Sequence, residues 1–235
     1  MVNSSLYNRF YNNSRLVGGA TKTNNILKLL KEKQGLLLLV FANLIVQLGI
    51  TYYIFLKSDM DKYKKYKWLI VTGLFILIFI IALLPMPMWL KFILFCIFSG
   101  LQGLILSILK TPDNTELINA SIICGLSIFV FFVFMGAALI SLGVNLGFKF
   151  GFALFLMLLL LIIFELVNIF FVKSSFNVKI FANAGLFIFS LFVMYDTNRM
   201  LQRNYYGDFI TASMDYYLDI LNIILDVFNL GDLSS

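Results

Sequence analysis

The stretch FITASMDYYLDILNIILDVFNL, residues 209–230, decides how this chain is organised. At about 100° per residue, Asp215, Asp219, Asn222, Asp226 and Asn229 fall within an arc of about 80° on a helix whose other positions are mostly Tyr, Leu, Ile, Val and Phe. In a soluble protein such a stripe would mark the wet side of an ordinary amphipathic helix. The residues before it point elsewhere. Six apolar runs precede it, at about Leu36–Leu56, Trp68–Leu84, Trp89–Leu109, Asn119–Leu142, Phe150–Phe171 and Ile180–Tyr195. Most of them approach the roughly 20 residues that cross a bilayer. A seventh helix in that setting faces the bundle interior, lines a water-filled cavity, or lies along the membrane surface. The stripe carries several acids and the helix has no basic residue, so anionic lipids would repel it, which favours the interior.

Composition agrees. Of 235 residues, 61% are hydrophobic and 13% charged, and the mean hydropathy of +0.94 means more apolar surface than one soluble core can hide. The expected fold is all-α: a polytopic membrane helical bundle of about seven transmembrane helices. Residues 1–35 read as a polar tail, residues 36–230 as the membrane domain and residues 231–235 as a short C-terminal tail. Pro85 and Pro87 separate the second run from the third, and the polar segment Lys110 to Glu116 separates the third from the fourth. The net charge of +6 comes from Lys and Arg flanking the apolar runs. That pattern suits lipid headgroups and excludes a nucleic-acid-binding domain. No compact apolar segment with a cleavage site opens the chain, so the first run is expected to be an uncleaved anchor. Counting basic residues on the two sides does not choose an orientation.

Chemistry-bearing residues are few. Cys96 and Cys124 lie inside apolar runs and the chain has no histidine, so free thiols are expected, with neither a zinc site nor a resident cofactor. Gly143, Gly147 and Gly151 recur every four residues, a spacing that serves helix packing or a loop better than a gating hinge. Glu165 is an acid within the fifth run; it either faces other helices or water, or reaches the interface from near the helix end. Asp196, at the end of the sixth run, is either part of a polar helix terminus or a functional group. The short connection to the last span favours function, because antiparallel neighbours would bring Asp196 towards Asp219. Two carboxylates a few ångströms apart do not both ionise cheaply, so a hydrogen-bonded pair sharing a proton is expected, a candidate proton-sensitive gate or calcium site. Asp215, Asn222 and Asp226 supply further oxygens, which calcium favours, along the same face.

The runs Tyr195-Asp196-Thr197-Asn198, Asp208-Phe209-Ile210 and Tyr217-Leu218-Asp219-Ile220-Leu221-Asn222 resemble the signature of the transmembrane Bax inhibitor motif family. A weaker likeness covers Asn43 to Leu48. The resemblance implies a helical bundle with a central seventh segment, a cytosolic N-terminus, and a pH-dependent calcium leak gated by an acidic pair that maps to Asp196 and Asp219. It also implies inhibition of cell death, in the endoplasmic reticulum or Golgi of a eukaryotic or viral source or the plasma membrane of a bacterial one. Two departures stand out. Gln102 occupies the place where many members have Glu, and the basic residue that latches the sixth-span Asp in some members has only Lys91 as a counterpart. Intramembrane aspartyl proteases also pair two Asp residues, but their Gly-x-Gly-Asp and Pro-Ala-Leu elements are missing here, and with no histidine a Ser-His-Asp triad is ruled out. A non-enzymatic role is expected. The alternative to a leak channel is a non-conducting scaffold that restrains cell death by binding membrane-bound regulators.

Overall fold

The computed structural model describes residues 24–58, 63, 65–108, 112–168, 175–202 and 207–232. Among these are seven α-helices: α1 Asn24–Lys57, α2 Lys67–Leu83, α3 Met88–Ser107, α4 Thr115–Ser141, α5 Phe148–Val167, α6 Ser175–Gln202 and α7 Phe209–Asp232. A single 3-10 turn, Pro112–Asn114, leads into α4. The protein is a polytopic helical membrane protein. Five of these helices are long and apolar enough to cross a bilayer. The other two fall short for different reasons: α2 is apolar throughout but has 17 residues, and α7 carries the polar stripe.

Two boundaries differ from the sequence reading. α1 begins at Asn24 rather than near Leu36, so the basic stretch Lys28 to Lys33 is helical; residues 1–23 lie outside the described residues, as do 233–235. α6 continues through Tyr195-Asp196-Thr197-Asn198 to Gln202, so these residues sit inside a helix rather than at its end. Hydropathy falls where polar side chains enter, but the backbone keeps its helical hydrogen bonds because those side chains find partners in neighbouring helices.

α7 is the centre of the bundle. It packs against α6, α4, α1 and α3, while α5 packs on α6 and α2 packs on α3. Tyr216, Tyr217, Ile220 and Ile223 of α7 are fully buried, whereas Phe131 and Phe134 of α4 and Phe148, Phe152 and Phe155 of α5 are exposed. An apolar outer surface of this extent is stable against lipid tails, where the helical backbone already satisfies its own hydrogen bonds. Small residues let the inner helices approach closely: a Cβ at Gly103 of α3 would lie 2.6 Å from the Thr51 carbonyl of α1, and one at Gly136 of α4 would lie 2.5 Å from the Met194 carbonyl of α6.

The glycines at 143, 147 and 151 do not form one packing stripe. Gly143 has φ +80° and closes α4, with its amide donating to the Ile140 carbonyl and the Val144 amide donating to the Leu139 carbonyl. That is the paired pattern of a Schellman terminus, which calls for glycine. Gly147 stands extended before α5. Gly151 is the packing residue, in contact with the Tyr195 ring.

Candidate functional site: an acid-lined cavity

Because α5 packs on α6 and stands away from α7, a cavity of about 1070 Å³ opens between α5 and α7, floored by α6 and bordered by α2. Asp215, Asp219, Asn222, Asp226 and Asn229 all line it. The polar stripe therefore faces the bundle interior, and the surface-lying arrangement does not occur. Asp196 and Arg199 of α6 and Glu165 of α5 line the same space, so every acid singled out from the sequence meets in one cavity.

Asp196 and Asp219 are each 6% exposed. The charges of Asp196 and Asp215 act on Asp219. The structure brings Asp196 and Asp219 to the wall of one cavity. Asp196 also turns along its own helix, placing Oδ1 3.9 Å from Arg199 Nη1. Asp219 Oδ2 is buried without a hydrogen-bond partner. A bare buried carboxylate oxygen is costly, and such costs are concentrated at sites that hold a proton or an ion.

Lys91 does not reach Asp196. Its Nζ donates to Asp208 Oδ2 and, at 3.1 Å, to Thr211 Oγ1. Asp208 is the N-cap of α7, its Oδ1 accepting from the Thr211 amide at 3.0 Å. Lys91 thus ties α3 to the start of the central helix, and the basic residue beside Asp196 is Arg199.

The other residues of the Tyr195–Asn198 run hold the cavity wall. Tyr195 packs on Gly151 of α5, and Thr197 Oγ1 and the Tyr216 hydroxyl are 2.7 Å apart. Asn198 Nδ2 donates to the Val144 carbonyl at 3.1 Å, while its Oδ1 accepts from the Leu146 amide at 2.9 Å. One motif thereby fixes α6 to α5, to α7 and to the connection after α4, with Tyr195 and Asp196 both on the cavity wall.

The family described as Inhibitor of apoptosis-promoting Bax1 matches residues 33–234. The chain belongs to the Bax inhibitor family. Relatives in Arabidopsis thaliana include Protein LIFEGUARD 4, 35% identical over 63 residues, which are 27% of this chain and 26% of that protein. Protein LIFEGUARD 2 is 29% identical over 68 residues, 29% of this chain and 28% of that protein. A BI1-like protein is 29% identical over 66 residues, 28% of this chain and 26% of that protein. The matches thus span little more than a quarter of the length of these curated relatives.

This Bax inhibitor family member also contains a buried polar chain whose role the sequence reading missed. Asn43 Nδ2 of α1 donates to Ser213 Oγ of α7, and Gln47 Nε2 donates to Asn43 Oδ1 at 3.1 Å. Ser99 Oγ of α3 donates to Gln47 Oε1 at 2.8 Å. Thr51 Oγ1 bonds the Ser99 carbonyl and the Tyr217 hydroxyl. These bonds pin α7 to α1 and α3 on the side away from the cavity. A signal was present: Asn43, Gln47 and Thr51 recur every four residues along an otherwise apolar run, which puts them on one helix face.

Proposed function

We propose that this protein is a calcium leak pathway whose opening responds to pH, with Asp196 and Asp219 as the proton-sensitive gate. One observation carries the reading: Asp219 Oδ2 is buried without a partner in a cavity that Asp196 also faces, on the helix around which the bundle is built. Carboxylate and amide oxygens, the polar groups most represented on the cavity wall, suit a hard cation. A proton bound between the two acids relieves their mutual repulsion and holds the pathway shut; losing it leaves two charges that separate or take up a cation. Membership of the Bax inhibitor family supports a physiological role in restraining cell death. In a eukaryotic or viral setting the leak would operate in the endoplasmic reticulum or Golgi, and in a bacterium in the plasma membrane.

The test is calcium entry into dye-loaded proteoliposomes between about pH 6 and about pH 8, where a proton shared by coupled carboxylates is gained and lost. Wild-type protein should conduct with a marked pH dependence, Asp219→Asn should flatten that dependence, and Asp196→Asn should shift it. Asp232→Asn, at the end of α7, should behave as wild type. Absent flux, or a pH dependence that survives removal of both carboxylates, would refute the gate. The same family membership would then favour a non-conducting scaffold that binds membrane-bound cell-death regulators.

A further inference from the structure

Asp226 and Glu165 are acids that the Asp196 and Asp219 gate leaves unused. Asp226 is 9% exposed, lines the cavity, and has its Oδ2 buried with no hydrogen-bond partner. It rests on Gly185 of α6, where a Cβ would come within 2.5 Å of that same oxygen. Glycine at this place leaves room for the carboxylate whose Oδ2 has no hydrogen-bond partner. Glu165 lines the cavity from α5, and its charge acts on Asp226. Asn229, within one turn of Asp226 on α7, lines it too and brings an amide oxygen.

No basic side chain among the described residues lines this end of the cavity; Lys179, about 9 Å from Gly185 along α6 at the standard rise, is not part of its wall. Among the described residues that line the cavity, the basic one is Arg199, which sits beside Asp196. Gly185, the α6 neighbour of Asp226, lies about 21 Å from Arg199 along the helix at the standard rise. Two acids and an unpaired buried oxygen, with no basic side chain lining their end of the cavity, call for a positive ion. The available ligands are all oxygen, which selects a hard divalent ion of the calcium class.

We propose that Glu165 and Asp226, with the Asn229 amide, form a second calcium site at the end of the cavity remote from Asp196. It rests on the leak reading in that it gives the permeant ion a second stopping place. Among the described residues no group of three acids, cysteines or histidines surrounds a common point, so water completes the coordination and the site is weak and readily vacated, as a stopping place must be.

Equilibrium binding of radioactive calcium to the full chain in phosphatidylcholine nanodiscs tests it. An Asp196→Asn/Asp219→Asn background, which removes the gate carboxylates, should still bind calcium. Adding Asp226→Asn or Glu165→Gln should weaken that binding about tenfold or more, since affinity follows the number of charged ligands. Gly185→Ala, which keeps every charge but presses on the Asp226 carboxylate, should weaken it as well. Glu165 is only half-buried on an outer helix, so Glu165→Gln gives a result even if Asp226→Asn does not fold. No binding by the gate-less background, or binding unchanged by Glu165→Gln, overturns the site. Absent calcium flux with this binding intact would refute the leak and leave the site standing.

Discussion

Asp208 shows how a single side chain ties chemistry to architecture in this protein. Burial alone would push its carboxyl upward, but hydrogen bonds from Lys91 and from the Thr211 amide and hydroxyl, together with the Lys91 charge, hold it below its ordinary value of 3.8. A group that is a stronger acid when folded contributes stability in full above its ordinary value and loses it as the pH falls through the lower folded value. Thermal stability in detergent should therefore fall on acidification below 3.8, and Asp208→Asn should show a shallower decline than wild type. At neutral pH, Asp208→Ala should cost about 0.5–2 kcal/mol through loss of the cap, while Asp208→Asn retains the cap and loses the ion pair. The identity of Asp208 as an acid before a span was plain from the chain, but its partner, 117 positions away, was not. The family resemblance points Lys91 towards Asp196, but in three dimensions the start of α3 meets the start of α7, where Lys91 bonds Asp208 and Thr211.

Among the helices, contacts made without side chains set the spacing of the bundle. Gly136→Ala would force a methyl group against the Met194 carbonyl and should destabilise by about 1–3 kcal/mol, the usual cost of overpacking. Gly100→Ala is the comparison: nothing lies within 4 Å of its would-be Cβ, so a better helix former there should be neutral or stabilising by about 0.5–1 kcal/mol. Both effects can be read from melting of the purified protein, and equal effects at the two positions would contradict the packing described. Gly143→Ala should be unfavourable for a different reason, about 1–2 kcal/mol for an L-residue held in left-handed backbone. Helix positions were largely legible in the chain because apolar run length reports bilayer crossing. The extension of α6 past Tyr195 was not. Its polar residues are buried by α4, α5 and α7, and hydropathy cannot register partners supplied by distant segments.

For the whole molecule, the cytosolic N-terminus implied by the resemblance gives a direct expectation. The sequons Asn3-Ser4-Ser5 and Asn12-Asn13-Ser14, which lie outside the described residues, should stay unglycosylated when the protein is expressed in a secretory-pathway membrane, as a gel shift with glycosidase would report. Cys96 and Cys124 are free thiols on α3 and α4, and replacing both with Ser should preserve folding and flux. Cys96 Sγ accepts a hydrogen bond from Gln47 Nε2, a role that a serine hydroxyl can take over. What the amino-acid sequence determined by itself was the solvent, the helical class, the family and the roster of acids, because these depend on composition, on local periodicity and on motifs contiguous in the chain. Only the tertiary structure decided that α5 stands apart from α7, that the gap gathers Asp196, Asp219, Glu165 and Asp226 into one cavity, and that Lys91 binds Asp208 while Arg199 attends Asp196. Those relations depend on which helices touch and at what height. In a bilayer, where apolar faces pack against lipid as readily as against one another, that choice is made by a few glycines and buried hydrogen bonds scattered along the whole chain.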